Sequence, residues 1–275
     1  VDFADEKEAM PFAVFKPTAV GRFEIYKKIS NAIALTPEEQ QEWERIQERF
    51  HKICSYGKEK NIAILVDAEE SWMQSAADDL LLELMRIYNK DKVVVYNTLQ
   101  AYRWDRLEYL KQIHLKAKKE SFKLGFKLVR GAYMEKERAR AKRLDYTSPI
   151  CISKSATDLQ FNDCLKYMLD NIETISVFLG THNEQSTQLA LNHMSNYKIK
   201  VNDNRVWFGQ LFGMSDHISF NLAKNGYNVA KYMPFGPVRD VMPYLIRRAE
   251  ENTSVAGQTN RELSLIREER KRRKL

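Results

Sequence analysis

The sequence is poor in the residues that build disulfide frameworks and metal sites. Its three cysteines, at positions 54, 151 and 164, are odd in number and form no Cys-x-x-Cys pair. This predicts free thiols and a reducing compartment. The five histidines show no metal-ligand spacing such as His-x-x-x-His, so we expect no bound metal.

Other common functional patterns are missing as well. No stretch approaches the roughly 18 to 20 apolar residues of a membrane span. Neither Gly-x-Gly-x-x-Gly nor Gly-x-x-x-x-Gly-Lys occurs, which argues against a Rossmann dinucleotide site and a P-loop. No Ser-His-Asp or Cys-His arrangement stands out, so the sequence does not indicate nucleophilic catalysis.

The chain has 275 residues and a net charge of +7. No linker or repeat marks a boundary, so we expect one domain over residues 1–275 with a basic C-terminal helix at about 261–275. Residues 267–274 carry six basic and two acidic side chains. Such a run is typical of a solvated helix end and is compatible with an anionic membrane surface. We expect no nucleic-acid partner.

Short apolar runs alternate with longer amphipathic stretches along the chain. Helices are predicted from Thr36, which precedes Pro37 and a capping glutamate, near 75–88 and over 104–120. Aromatic residues at helical spacing, Tyr102, Trp104 and Tyr109, are expected to pack. Seven strands are predicted, at 11–16, 61–67, 92–97, 125–131, 175–180, 206–210 and 228–233. Alternating strands and helices predict a parallel sheet covered by helices, one strand short of an eight-stranded barrel.

Polar side chains stand at or just past the end of each predicted strand. Because ligands bind at the carboxyl ends of parallel strands, these residues are expected to share one site. The residues are Lys16, Asp67, Gln100, Lys127, His182 with Asn183, Gln210 and Tyr232.

The segment after the last predicted strand is rich in arginine. Tyr244, Arg247, Arg248 and Glu251 follow helical three- and four-residue spacing. An arginine can grip a carboxylate with two parallel hydrogen bonds. Taken alone, however, the pattern favours a surface helix with an exposed Arg–Glu ion pair.

Eight motifs in order resemble the proline dehydrogenase family. They are Phe-Lys-Pro-Thr-Ala at 15–19, Val-Asp-Ala-Glu-Glu at 66–70, Leu-Gln-Ala-Tyr at 99–102, Lys-Leu-Val-Arg-Gly-Ala-Tyr at 127–133, Gly-Thr-His-Asn at 180–183, Gln-Leu-Phe-Gly-Met at 210–214, Tyr-Met-Pro-Phe-Gly-Pro at 232–237 and Tyr-x-x-Arg-Arg-x-x-Glu-Asn at 244–252. The variants are closer to the eukaryotic and single-function bacterial branches. We expect no fused aldehyde dehydrogenase half.

The resemblance implies a distorted (βα)8 barrel of the TIM type, with the last helix over the barrel mouth. It implies an FAD-dependent enzyme that oxidises L-proline to 1-pyrroline-5-carboxylate, the first step of proline catabolism. Hydride passes from proline C5 to flavin N5, and a membrane quinone accepts the electrons. It also implies a cytoplasmic location, peripheral to the inner membrane, or on the matrix side in a mitochondrion.

The family's site residues carry over onto matching positions. Arg247 and Arg248 would pair with the substrate carboxylate, assisted by Lys16 and supported by Asp67, while Tyr232, Tyr244 and Leu128 would enclose the ring. Tyr232 favours proline, because related hydroxyproline dehydrogenases have a smaller residue there. The residues implied for the flavin are Gln100, Lys127, Val129, Gly131, Lys154, Thr157, His182, Asn183, Gln210, Arg248, Glu251 and Ser254.

One part of the family pattern has no counterpart. The first strand, with its acidic motif, is not found before residue 16, so we expect that strand to be missing from this chain. Two other functions stay open from the residues themselves. One is a flavin barrel acting on another cyclic amino or imino acid. The other is an inactive scaffold whose basic tail binds a membrane or nucleic acid.

Overall fold

The computed structural model describes residues 1–5, 9–239, 241–242, 245–246, 264, 267–268 and 270–273. Within these residues, seven parallel strands form one sheet, and their order in the sheet is their order in the chain. The strands are β1 (Phe12–Phe15), β2 (Ala63–Val66), β3 (Val95–Gln100), β4 (Leu124–Val129), β5 (Ile175–Gly180), β6 (Val206–Leu211) and β7 (Val229–Tyr232).

Helices connect the strands and cover the outside of the sheet. A short 3-10 turn, Pro17–Ala19, follows β1. The helices are α1 (Asp2–Asp5), α2 (Phe23–Ser30), α3 (Pro37–Glu59), α4 (Ser71–Tyr88), α5 (Arg106–Lys119), α6 (Met134–Arg143), α7 (Lys154–Asp170), α8 (Glu184–Asn196) and α9 (Asp216–Lys224). Among the described helices, none has both the length and the apolar character needed to cross a membrane.

The sheet curls, so that its two ends approach each other. The ring of Phe12 on β1 lies 5.0 Å from that of Trp207 on β6 and 5.2 Å from that of Phe178 on β5, all measured between centroids. The hydroxyl of Tyr232, at the end of β7, reaches the carboxylate of Asp67 just after β2. The prediction of a barrel-type α/β fold is thereby confirmed. The helix predicted to lie over the barrel mouth falls mostly outside the described residues.

The inside of the curl is filled with aromatic side chains near the start of the strands. Phe12 meets Tyr96, Phe178 and Trp207 edge to face. A Cβ atom on Gly209 would lie 2.1 Å from the Phe178 ring, so only glycine leaves room for that ring. The larger apolar core lies between strands and helices and includes the fully buried Phe50, Phe126, Phe161 and Phe208.

Helix α3 begins where its capping signals predict. The Thr36 hydroxyl accepts from the Glu39 amide at 3.3 Å, and the Glu39 carboxylate accepts from the Thr36 amide at 2.9 Å. This reciprocal pair satisfies two backbone donors that the helix start would otherwise leave open. Helix α4 begins at Ser71 rather than near residue 75, because the buried Glu137 carboxylate on α6 accepts from both the Ser71 amide and hydroxyl.

Strand β3 runs later than the predicted 92–97. The side chain of Asn89 is fully buried, and its Oδ1 accepts from the amides of Val94 and Val95, both at 2.9 Å. Its Nδ2 donates to the Val95 carbonyl. These bonds occupy backbone groups of residues 94 and 95, so the strand begins at Val95 and not at residue 92. It ends at Gln100.

Two smaller predictions have different outcomes. Tyr102 is buried and Tyr109 packs against the core, as expected. Trp104 is 60% exposed, so the prediction that it packs is wrong. It precedes α5 and so lacks helical spacing, and its indole donates to the Ser148 carbonyl.

The three cysteines are free and buried, and burial raises the pKa of the Cys54 and Cys164 thiols to about 12.

A buried histidine joins α5, α7 and the start of β5. His114 has no exposed surface. Its Nδ1 lies 2.9 Å from the Tyr167 hydroxyl and its Nε2 lies 2.7 Å from that of Thr174. Burial, with a smaller contribution from the charge of Lys118, lowers the pKa of His114 to about 4. The fold therefore holds its neutral form.

We predict that His114→Gln removes a pH-dependent part of the stability. In the unfolded chain His114 protonates near pH 6.5, whereas in the fold it protonates only near 4, so its contribution is complete above 6.5 and decreases below. From pH 8 to pH 5 the loss amounts to about 2 kcal/mol. Urea unfolding of both proteins at the two pH values measures it. A stability difference that does not change with pH would contradict this role.

Candidate active site

The polar side chains at the strand ends converge on the carboxyl-terminal side of the barrel. Lys16 and Asp67 follow β1 and β2 directly, Gln100 ends β3, and Tyr232 ends β7. Lys127 lies within β4, paired in register with Thr98 and Phe178 on its neighbours. Side chains alternate along a strand, and this places Lys127 and the aromatic residues below it on the inner face.

The centre of the group is the carboxylate of Asp67. Its Oδ1 accepts from the Lys127 ammonium at 2.6 Å and its Oδ2 accepts from the Tyr232 hydroxyl at 2.7 Å. The Lys127 ammonium also lies 4.4 Å from the centre of the Tyr232 ring, within range of a cation–π contact. These bonds join β2, β4 and β7 across the barrel mouth. They leave Lys127 with a counter-charge from the protein itself.

A second lysine has a different environment. The Lys16 ammonium donates to the Tyr133 hydroxyl at 3.0 Å, and within the described part of the chain it forms no ion pair. Burial lowers the pKa of Lys16, but the Tyr133 oxygen and the Glu69 and Asp67 carboxylates outweigh it and raise the pKa overall. Lys16 therefore stays protonated at neutral pH, and its charge is available to an anionic ligand.

Gln100 is held by groups beside the site. Its Nε2 donates to the Glu69 carbonyl at 3.1 Å and to the Tyr102 hydroxyl at 3.4 Å. Within the described residues its hydrogen bonds use Nε2, so the amide oxygen is the end that a ligand would meet. The Tyr102 ring crosses the end of β4, where a Cβ on Gly131 would lie 2.6 Å from it. At φ +133, Gly131 has a backbone conformation that favours glycine.

The ends of β4 and β5 form a smooth apolar surface next to these polar groups. A Cβ on Gly180 would lie 2.9 Å from Val129 Cγ1 and 3.8 Å from Lys127 Cε, so the Gly180 backbone lies against both side chains. The Gln100 amide stands across the β3–β4 pair from Val129. An apolar face bordered by an amide and an ammonium suits a flat ring with one polar edge, such as isoalloxazine.

Comparisons with known proteins show the family to which this chain belongs. A family model described as proline dehydrogenase matches residues 4–261. The chain belongs to the proline dehydrogenase family. It is 40% identical over 244 residues to proline dehydrogenase 1, mitochondrial, of Caenorhabditis elegans, which covers 87% of this chain and 40% of that protein.

Further relatives differ in name and in extent. The carbapenem antibiotics biosynthesis protein CarD of Pectobacterium carotovorum subsp. carotovorum is 34% identical over 273 residues, covering 99% of this chain and 70% of that protein. A solved structure of proline utilization A from Bdellovibrio bacteriovorus, inactivated by N-propargylglycine, superposes with a TM-score of 0.77. It is 25% identical and the match covers 88% of this chain. The chain spans 24% of that protein and well under two thirds of the curated proline dehydrogenases.

Two residues that the proline dehydrogenase resemblance implies are engaged elsewhere in the protein. Leu128 is fully buried and packs in the outer core between strands and helices. Gln210 also faces outward, where Nε2 donates to the Thr181 carbonyl and Oε1 accepts from Ser219 on α9. Both alternate in register with the inner-face residues of their strands. The structure does not bring them into the group around Asp67.

The residues implied for the distal part of the flavin lie on the adjacent rim. Lys154 is exposed and pairs with Asp158 at 2.7 Å, while the Thr157 hydroxyl donates to the Ser153 carbonyl. His182 Nδ1 lies 3.0 Å from the Ser215 hydroxyl, and Asn183 caps α8 by accepting from the Ser186 amide. Asp158 also accepts from Arg130, just after β4, at 2.7 Å, and His182 and Asn183 follow β5, so these residues lie near the ends of the two strands.

Another set of predicted site residues lies outside the described residues. Because they include both arginines proposed to hold the carboxylate, the described site is the part contributed by the strands. These residues are Tyr244, Arg247, Arg248, Glu251 and Ser254.

Two residues of the described site received no role from the sequence. Tyr133 is the partner of Lys16, and Glu69 supplies the carbonyl that binds Gln100. Each stands inside a family motif, Tyr133 at the end of 127–133 and Glu69 in 66–70. Neither lies at a strand end, so the pattern that selected the other residues passes over them.

We predict that Asp67 is needed for stability as well as for the site. Asp67→Ala leaves the largely buried Lys127 ammonium without a counter-charge and is expected to cost about 3–5 kcal/mol. Urea unfolding measures the loss. As a control, Lys27→Ala removes an exposed ion pair with Glu24 and should cost less than about 1 kcal/mol.

The double variant Asp67→Ala/Lys127→Met tests whether the loss of stability comes from the unpaired Lys127 ammonium. It should recover most of the stability, because no ion is then left buried. If the double variant loses as much stability as the two single variants together, the role of the ion pair is contradicted.

Proposed function

We propose that the chain is a flavin-dependent proline dehydrogenase that oxidises L-proline to 1-pyrroline-5-carboxylate, the first step of proline catabolism. The observation that carries this proposal is the cluster of Lys16, Tyr133, Asp67, Lys127 and Tyr232 at the strand ends of a chain that matches the family over residues 4–261. FAD is the proposed cofactor. When bound, it would accept the hydride that leaves C5 of proline.

The described residues support specific tasks in this reaction. Lys16, cationic and partnered with a neutral phenol, suits the substrate carboxylate, and Arg247 and Arg248 are proposed to complete the grip. Holding the carboxylate fixes the ring so that C5 lies against the cofactor, which is where orientation lowers the barrier. Tyr232, held by Asp67, is proposed to border the ring together with Tyr244 and to favour proline over hydroxyproline.

The cofactor surface is proposed to consist of the same strand ends. Val129, Gly131 and Gly180 offer room for a flat ring, and Gln100 offers an amide to its polar edge. Lys127 places an ammonium beside it, which would favour an electron-rich reduced flavin. For the remainder we propose Lys154, Thr157, His182, Asn183, Arg248, Glu251 and Ser254, while Gln210, whose amide is engaged on the outer face, would act only through its neighbours. Leu128, as part of the outer core, would support the ring only through its neighbours.

The electron acceptor and compartment belong to the proposal too. We propose a membrane quinone as acceptor and a cytoplasmic location peripheral to the inner membrane, or the matrix side in a mitochondrion. The C. elegans and human relatives are named as mitochondrial proteins. The described residues of the basic tail, 267–268 and 270–273, are helical and exposed, which suits contact with an anionic surface.

A second candidate is the oxidation of a different cyclic amino acid by the same cofactor. It is favoured by the relative CarD, a carbapenem antibiotics biosynthesis protein, whose match covers more of this chain than those of the named proline dehydrogenases.

The test of the proposed function is anaerobic flavin reduction. The purified, FAD-reconstituted protein should show the visible absorbance of an oxidised flavin, and L-proline should bleach it. Trans-4-hydroxy-L-proline and sarcosine should do so much less efficiently. Failure to bind a flavin would exclude both candidates, and bleaching by another cyclic amino acid but not by L-proline would favour the second.

We predict that Arg248→Met weakens proline binding. Losing a charge-assisted pair with the carboxylate should raise KM for L-proline by about one to two orders of magnitude. The melting temperature should stay unchanged, since the effect is local. Arg45→Met, on the exposed side of α3, is the control. An unchanged KM for Arg248→Met would count against a carboxylate grip by this residue.

A further inference from the structure

Glu69 is a buried carboxylate that reaches back to the first strand's loop. Only 6% of the residue is exposed. Its Oε2 accepts from the Thr18 amide at 3.0 Å, and its Oε1 accepts from the Thr18 hydroxyl at 2.8 Å. One side chain thus binds both donors of a single residue, and this geometry fixes the position of that residue in two directions.

Thr18 belongs to the turn that presents Lys16. The 3-10 turn Pro17–Ala19 follows Lys16 directly, and the Ala19 amide donates to the Lys16 carbonyl at 2.9 Å. Holding Thr18 therefore holds the turn to which the backbone of Lys16 is hydrogen-bonded. The placement of the Lys16 ammonium against Tyr133 depends on this turn.

The backbone of Glu69 serves the other side of the site. Its carbonyl accepts from Gln100 Nε2 at 3.1 Å, the amide proposed to meet the polar edge of the flavin. The carboxylate of Glu69 therefore connects to the substrate side, and its carbonyl connects to the cofactor side. The two sides are held by the same residue.

Glu69 is itself anchored from behind by a polar network. Its amide donates to Gln74 Oε1 at 2.8 Å, and Gln74 Nε2 donates to Asp78 Oδ1 at 2.8 Å. Asp78 in turn accepts from Asn97 at 2.9 Å and from Arg106 at 3.2 Å. All of these groups are buried, and fully satisfied buried networks hold their members in one arrangement.

We propose that Glu69 is a positioning residue that holds Lys16 and Gln100 in register, so that the carboxylate grip and the cofactor surface keep a fixed separation. This rests on the proposed function, because the two sides have meaning as substrate and cofactor sides only there. A displacement of about 1 Å between reacting groups is enough to cost on the order of 100-fold in rate.

Electrostatics act in the same direction. Burial raises the pKa of the Glu69 carboxyl, while the two Thr18 donors and the Lys16 charge partly offset that rise. The carboxylate is among the groups that raise the pKa of Lys16, together with Tyr133 and Asp67. Removing its charge without changing its shape should therefore lower the pKa of Lys16.

Three substitutions separate position from charge. Glu69→Ala removes both bonds to Thr18, whereas Glu69→Gln keeps the shape, with an oxygen for the Thr18 amide and an NH2 for its hydroxyl. Glu70→Gln is the matched control. It is the next residue and equally buried at 5%, but its carboxylate turns away to Lys136 on α6.

The first readout is the separation of KM from kcat with L-proline, in the FAD-loaded protein. Glu69→Ala should raise KM for proline about tenfold or more, since Lys16 loses its placement. In a Lys16→Met background the same substitution should add less than about twofold, because partners acting through one group are not additive. If Glu69→Ala fails to fold, Thr18→Val in both backgrounds carries the same comparison, because it removes the hydroxyl that donates to Glu69. A full, independent loss on top of Lys16→Met would overturn the proposal.

The second readout needs no activity. NMR of 15N-lysine-labelled protein, with the Lys16 signal assigned from Lys16→Met, follows the titration of its ammonium. The pKa of Lys16 should fall in Glu69→Gln and stay at the wild-type value in Glu70→Gln. Glu69→Ala should move the Lys16 titration further than Glu69→Gln, because it also releases the turn at Thr18, and identical titrations in the two variants would overturn the proposal.

The two measurements distinguish a failure of the proposed function from a failure of the positioning role. If the wild-type protein is not reduced by L-proline, the proposed function fails, and the Lys16 titration still decides whether Glu69 positions that lysine. If the wild-type protein is reduced and Glu69→Ala behaves like Glu70→Gln, the positioning role fails and the proposed function stands.

Discussion

The carboxylate of Asp67 is the contact on which the described site depends. It receives the ammonium of Lys127 from inside β4 and the hydroxyl of Tyr232 from the end of β7. β2 and β7 stand near opposite ends of the sheet, so this carboxylate also bridges the two sides of the curl. Because Lys127 already has this carboxylate as its counter-charge, Lys16 is the lysine of the described site whose charge stays available to an anionic substrate group. The polarity of the site follows from this division between two lysines.

Residues packed behind the two lysines support this arrangement. Glu69 and the network through Gln74 and Asp78 hold the loops after β1 and β2, and the aromatic layer around Phe12 fills the barrel below. The polar side chains at the strand ends therefore lie on a packed aromatic layer. Neighbouring strands deliver ligand-binding groups at one level, as parallel barrels generally do.

Much of this arrangement could be predicted from the sequence. Apolar runs and capping signals located all seven described strands and the start of α3, and the rule that ligands bind at strand ends brought Lys16, Asp67, Gln100 and Tyr232 together. The start of β3 could not be predicted, because it depends on the side chain of Asn89 binding the backbone at residues 94 and 95. Leu128 shows a second limit. It sits in a family motif, but the alternation of a strand turns it toward the helices, and a motif does not state which face each of its residues occupies. Tyr133 and Glu69 could be recognised as site residues only from their contacts with Lys16 and Gln100 in the structure.

We propose that the inner rim around Asp67 is the cofactor and substrate site. The most direct measurement is a crystal structure of the FAD-loaded protein. The account predicts density for the isoalloxazine against Val129 and Gly180, with its polar edge at Gln100 and the Lys127–Asp67 contact intact. A flavin bound instead in the cavity of about 510 Å³ at the opposite end of the strands, lined by residues such as Phe12, Lys92 and Trp207, would contradict it.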